Sequence, residues 1–265
     1  MYHMSAEQRE IAVPKYFIKQ PKEPAYVNQN SAIPLIGIGL IGSFIYGLGL
    51  PLVLYGGYQY ITAGSTNEDL KLNYEKDLEI FNSRPTDEQM DAWQNAVLDR
   101  IKTSALTKLD LIEGQVIGEP IMITGPSEGA LLAIGKDNLL RFSKYDVVTV
   151  YLTNYHLAAY SCTFDMSTGL ETKETTQEYR YKDIVSVTTK TDNSRLFKVV
   201  VDGQEKPLAE YQKFSLSVAN GERIEVAIAF PQLEKFINNA RYAPTGAENA
   251  VKTIRAMLRE DKDSI

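Results

Sequence analysis

From residue 24 to residue 67 the chain runs 44 residues without a charged side chain, between Glu23 and Glu68. A run of that length narrows the possible folds, because a water-facing helix carries charged or polar side chains on its outer face at every turn. Its centre, residues 33–55 (IPLIGIGLIGSFIYGLGLPLVLY), has the length and apolar character of a bilayer-spanning helix. Thirteen Leu, Ile, Val and Phe side chains between residues 33 and 54 favour insertion by roughly 4–8 kcal/mol before Gly, Pro and end effects are subtracted. A single transmembrane helix is therefore the leading expectation for residues 31–63.

The flanks leave the geometry open. Arg9, Lys15, Lys19 and Lys22 precede the segment and Lys71 and Lys76 follow it, so the distribution of positive charge gives no orientation. Matched flanks also suit a re-entrant membrane hairpin, with residues 33–48 entering, 51–63 returning, and Gly47, Gly49 and Pro51 at the bend. A buried pair of core helices is a third arrangement. Tyr26, Tyr55, Tyr58 and Tyr60 are candidate interfacial anchors, since rings with a polar tip favour the headgroup level. Gly42, Gly49 and Gly56 fall seven apart and would share one helix face, where small residues let two membrane helices approach closely. That spacing suggests a homo-oligomer; the alternative is that glycine is simply common in membrane helices. Gly37, Gly39 and Gly42 also spell G-x-G-x-x-G, but no strand leads in and no acidic residue follows before Glu68, so a dinucleotide loop is excluded.

Net charge is -6, which argues against a nucleic-acid partner. The acidity is local: residues 66–128 carry 13 acidic and 6 basic side chains, residues 130–265 carry 18 of each. One balanced domain is expected behind one acidic connector. A lone Cys162 excludes an intrachain disulfide. The start, MYHMSAEQRE, lacks the basic-then-apolar order of a cleaved signal peptide, so the apolar segment is expected to stay in the mature protein.

Beyond the uncharged run the spacing turns helical. Thr66 is positioned to cap a helix through Phe81, and after a break at Asn82-Ser83-Arg84-Pro85 the pair Thr86 and Gln89 forms a capping-box signature. Met90, Trp93, Val97, Ile101, Ala105 and Leu109 then make one apolar stripe. The expected organisation is a polar tail (1–30), a membrane segment (31–63), an acidic helical hairpin (66–112), a Gly/Pro-rich linker (113–136) and a β domain (137–262). Within the last, seven short segments rich in Val, Tyr, Thr and Phe begin near residues 146, 157, 175, 184, 196, 214 and 223, with turn residues between several of them. Pro231 opens a helix to about residue 239. Thr245-Gly-Ala-Glu248 caps a last helix that buries Ala250, Val251, Ile254, Met257 and Leu258. Fold class is α+β, with the strands expected to close as one seven-stranded antiparallel barrel.

Two chemical leads are weak. Gly125-Pro126-Ser127-Glu128-Gly129 matches G-x-S-x-G, and a serine hydrolase would need Ser127 with His156 and Asp146. The elbow stands on a doubly wound parallel sheet, whereas the strands after Ser127 read as antiparallel, so Ser127 is read as a turn residue. With only His3, His156 and Cys162 as soft or imidazole ligands, no metal is expected. Glu75 with Glu79 and Asp87 with Asp91 are read as solvated faces. No catalytic, metal-binding or cofactor-binding residue is assigned.

The run Val150-Tyr-Leu-Thr-Asn-Tyr-His-Leu-Ala-Ala-Tyr160, with Asp165-Met-Ser-Thr-Gly169 and Tyr179-Arg-Tyr-Lys-Asp-Ile-Val-Ser-Val187, resembles the bacterial pleckstrin-homology-like family over residues 137–260. The resemblance implies a fold and no catalytic residues, with Tyr151, Leu157, Tyr160, Ile184 and Val187 in the core and Asp183 in a turn. Phosphoinositide-binding members gather basic residues at the first hairpin; here Lys144, Lys173, Arg180 and Lys182 stand among Asp165, Glu171, Glu174 and Glu178. The functional expectation is a non-enzymatic, membrane-anchored scaffold that oligomerises or docks a partner at the cytoplasmic face of the cell membrane. A module sensing anionic lipid headgroups is the alternative.

Overall fold

The computed structural model describes residues 6–36, 38, 40, 50–194, 196–201, 204–236 and 240–263. It divides into two units, Lys19–Arg84 and a β-rich unit made of Met1–Ile18 with Pro85–Ile265.

The helical unit holds a 3-10 turn, Gln29–Ala32, and a long helix, Leu50–Asn82. Helix α1 (Ala6–Tyr16) precedes them in the chain, so the long helix is α2. Among the described residues no helix is long and apolar enough to cross a membrane, which overturns the expected transmembrane helix. α2 passes through Glu68 into charged turns, and Tyr, Gln, Thr, Ser, Asn and Gly interrupt its uncharged part. Thr66, expected to cap a new helix, lies inside α2, with its hydroxyl donating to the Thr62 carbonyl at 2.8 Å.

In the β-rich unit, Thr86 caps helix α3 (Asp87–Lys108) with the reciprocal Thr86–Gln89 bonds of a capping box. Its stripe of Met90, Trp93, Val97, Ile101 and Ala105 is buried. Eleven strands follow: β1 (Ile121–Pro126), β2 (Ala130–Ile134), β3 (Leu140–Phe142), β4 (Lys144–Leu152), β5 (His156–Asp165), β6 (Glu171–Arg180), β7 (Ile184–Asp192), β8 (Phe197–Val201), β9 (Gln204–Leu208), β10 (Tyr211–Val218) and β11 (Arg223–Ala229). Helices α4 (Pro231–Phe236) and α5 (Ala247–Asp263) complete it.

The strands form three sheets, β1-β4-β5-β6, β11-β10-β7 and β3-β2-β8-β9, and the expected single closed barrel is not formed. β1 lies in residues assigned to the linker, and β2 and β3 combine with the β8–β9 hairpin into a sheet of their own. β2 runs parallel to β8; the other ladders are antiparallel.

In the sheet β1-β4-β5-β6, strands β4 and β5 are buried on both faces, which explains their nearly continuous apolar runs, while β6 is largely exposed. One face, carrying Val147, Tyr151, Tyr160 and Phe164, packs with the α1 and α3 residues Val13, Tyr16, Trp93 and Ile101. The other, carrying Val148, Val150, Leu157 and Ala159, packs on Phe214, Leu216 and Val226 of the three-stranded sheet and on Ala250 and Ile254 of α5. Tyr151, Leu157, Tyr160, Ile184 and Val187 are all buried. The Asp183 carbonyl, at the end of a 3-10 turn, accepts from the Ala219 amide at 2.8 Å.

Candidate functional site

A cleft of about 290 Å³ opens in the β-rich unit between α3, the end of β1, β3 and the segment 242–245. α3 contributes Asp91, Gln94, Asn95 and Leu98, one to two helical turns of one face. Phe142, Tyr145 and Tyr242 supply aromatic surface. Phe142 stacks with Tyr242 at 6.4 Å between ring centroids and meets Tyr145 edge-on at 5.9 Å. The Tyr145 hydroxyl accepts from the Phe142 amide, and burial pushes its pKa up to about 12.

The wall of the cleft contains the most constrained cation among the described residues. The Arg141 side chain is 4 % exposed. Its Nε and Nη2 donate to the two oxygens of Asp91 at 2.8 Å each, and Nη1 and Nη2 donate to Asp137 at 2.9 and 2.8 Å. The guanidinium is thus held by two carboxylates in paired geometry, the arrangement arginine favours. The Tyr16 hydroxyl donates to Asp87 Oδ1 at 2.7 Å, and the Lys136 amide donates to Asp87 Oδ2 at 2.6 Å. Asp87 and Asp91 were expected on a solvated face; they instead tie α3 to α1 and to the β2–β3 hairpin.

The other end of α3 is held the same way. Lys108 Nζ reaches the Tyr160 hydroxyl at 2.9 Å and also pairs with Glu174. Burial opposes its charge, but Glu174 and Glu171 outweigh that and raise its pKa. Burial likewise raises the Tyr160 hydroxyl, helped by its bonds to Glu171 and Glu174. Arg100 donates to the Gly169 carbonyl and to Glu171. Cys162 is buried, and its thiol is pushed up to about 12 by that burial.

The hydrogen bond from Arg141 holds Asp137 at about 2, below its ordinary 3.8. A carboxyl depressed in the folded state stabilises fully above its unfolded pKa, and that contribution fades as pH falls through the folded value. Urea midpoints of the wild type and Asp137→Asn are therefore expected to differ at pH 5 and to converge as pH falls from about 4 to about 2. A gap that stays constant over that range would contradict the ion pair.

The residues singled out from sequence do not form a hydrolase site. Ser127 is buried in the turn after β1, its amide donating to the Lys144 carbonyl at 3.1 Å. Pro126 lies opposite Tyr145, while Leu157 lies opposite Leu152, seven residues or about 23 Å further along β4. His156 Nδ1 sits 3.1 Å from the Thr153 hydroxyl, and Asp146 accepts from Thr163 at 2.6 Å. No group of three or more metal-ligating side chains occurs among the described residues. Gly42 and Gly49 lie outside the described residues, as do Gly37 and Gly39. A Cβ on Gly56 would sit 2.8 Å from Ile36 Cγ1. Tyr26, Tyr55, Tyr58 and Tyr60 are between 43 and 67 % exposed.

No protein family, no curated protein and no solved structure matches this chain. The cleft must therefore be interpreted from its own chemistry. With Arg141 neutralised by two carboxylates, it offers an aromatic floor. Its rim carries the Gln94 and Asn95 amides, which make no side-chain hydrogen bond among the described residues. The cleft was not visible in the sequence, because its walls come from four regions spread between residues 91 and 245. The one local hint is Arg141 itself, a charge set inside the apolar run Leu139-Leu140-Arg141-Phe142.

Proposed function

We propose that this protein is an interaction or scaffold module without catalytic chemistry, whose β-rich unit docks a neutral, amphipathic segment of a partner protein or of a second copy in the cleft beside α3. The observation that carries this is the pairing of an aromatic floor with two free primary amides beside an internally neutralised arginine. Amides that can both donate and accept suit the backbone of an uncharged peptide, and rings give contact area at little entropic cost. The volume lies at the low end of the roughly 300–1,000 Å³ typical of small-ligand sites, enough to hold a few anchoring side chains.

What supports kinship with the pleckstrin-homology-like family is the strand order. Seven strands, β1, β4, β5 and β6 followed by β7, β10 and β11, form sheets of four and three, and α5 packs on β1 and β7. The sheet β3-β2-β8-β9 is an addition to that plan. Headgroup sensing has less support, because Lys144 lies 3.5 Å from Asp165 and the basic residues of the first hairpin stand among acids.

The test is native mass spectrometry of the extracted protein with its copurifying species, wild type beside Asn95→Trp, which fills the cleft from an exposed helix position. Loss of the partner or oligomer in the variant, with an unchanged thermal midpoint, is the expected result. Identical species in both, or a lone monomer in the wild type, would refute docking through the cleft.

A further inference from the structure

The uncharged stretch folds back on itself in the helical unit. The Val27 amide donates to Asn67 Oδ1 at 2.7 Å and Asn67 Nδ2 donates to the Val27 carbonyl at 2.9 Å. A Cβ on Gly64 would meet the Gln29 side chain, and one on Gly56 would meet Ile36 and Ala32. Contacts at 27 with 67, 29 with 64, and 32 and 36 with 56 rise along one arm as they fall along the other, so the arms are antiparallel. The clasp of Val27 and Asn67 sits at the two ends of the charge-free run, with Glu23 and Glu68 just outside it. Charge therefore resumes on both strands at the same end of the hairpin.

Beyond the clasp, large apolar side chains face outward on both arms. Ile33, Ile38 and Leu40 are 50 to 62 % exposed on the first, and Leu54, Tyr58 and Ile61 are 66 to 71 % exposed on the second. Scattered apolar residues are ordinary on a surface, but so many without one intervening charge mark a surface that is covered in use.

We propose that this hairpin is seated in a lipid bilayer and that the chain enters and leaves on the same side. From Asn67 to Leu50, α2 rises about 26 Å, less than the roughly 30 Å hydrocarbon core, and no helix among the described residues can cross. Tyr26 lies beside the clasp and Tyr60 seven residues from it, about 10 Å along α2, at the depth where amphipathic rings settle. Lys19 and Lys22 on one stem and Lys71 and Lys76 on the other then lie on the same side of the bilayer, which accounts for the matched basic flanks. A second copy is the competing occupant, but apolar faces sealed by a copy would not require the charges of both stems to stop at a common level.

The experiment uses the full chain with vesicles of phosphatidylcholine and phosphatidylglycerol added from outside. Flotation is expected for the wild type and is expected to fall about tenfold or more for Ile38→Asp/Leu54→Asp, given the cost of a buried carboxylate in hydrocarbon. The thermal midpoint of the β-rich unit should not change, since both substitutions lie in the other unit. In a second arm, Lys22→Cys and Lys71→Cys are each treated with a membrane-impermeant maleimide; the buried Cys162 gives a low background. Full labelling of both without detergent is expected. Labelling of one and protection of the other would overturn the one-sided entry, and failure of the wild type to float would overturn the lipid occupant. The inference does not depend on the cleft: Asn95→Trp is expected to float like the wild type.

Discussion

Replacing Arg141 by leucine is expected to destabilise the β-rich unit by about 3 kcal/mol, the low end of the 3–5 kcal/mol typical when one partner of a buried ion pair is removed. The low end applies because Asp91 and Asp137 are 46 and 40 % exposed on their side chains and can take up water once the cation is gone. For a unit of this size the midpoint should drop by about 10 °C. Arg141→Lys is expected to recover less than half of the loss, since one ammonium cannot reproduce four donor contacts to two carboxylates. Urea denaturation followed by near-ultraviolet circular dichroism measures both. A leucine variant within about 0.5 kcal/mol of the wild type would show that the pairs contribute nothing net.

Gly125→Val is expected to cost about 3 kcal/mol or more, at the upper edge of the usual overpacking range. Gly125 stands on β1 opposite Asp146 of β4, where β1 runs close to β11 without a ladder between them. A Cβ at Gly125 would overlap the Ala227 carbonyl oxygen, and a flexible side chain cannot swing aside because the obstacle is backbone. The seam between the sheet β1-β4-β5-β6 and the sheet β11-β10-β7 would have to open. Val148, Val150, Val226 and Ile228 lie in the core behind it, so the loss should appear as global unfolding at lower urea. Gly114→Val serves as the control, because a Cβ there meets nothing; equal loss in both variants would show that the seam is not tight.

The seven strands expected from sequence are all present, and in β4 and β5 their burial is written locally. β4 and β5 are covered on both faces and read as Val, Tyr and Phe runs; β7, β10 and β11 follow them with turn residues between. β9 (Gln-Glu-Lys-Pro-Leu) escaped notice because it is an exposed edge strand, four of its five residues open to solvent, and Pro207 in it is the kind of residue edges tolerate. β1 and β2 were hidden by Gly125, Pro126 and Gly129, which made a strand-turn-strand look like a linker. The Asp87–Asp91 pair was misjudged for a different reason. Two carboxylates four apart on a helix look alike whether they face water or a guanidinium, and what separates the cases is Tyr16, Lys136 and Arg141, each about 50 or more residues from its carboxylate. The expected transmembrane helix is overturned because no helix among the described residues is long and apolar enough to cross, and the Val27–Asn67 clasp brings the two ends of the charge-free run together.

The docking of α1 has a consequence for biosynthesis. Val13 and Tyr16 are synthesised well before Leu132, Phe197 and Phe230, with which they share a core and which follow more than 100 residues later in the chain. The helical unit can close on its own contacts while the first helix still waits, so the β-rich unit is completed only once residues as late as Phe230 have been made. Removing residues 1–18 would therefore leave a late-folding domain without the part of its core that Val13 and Tyr16 supply.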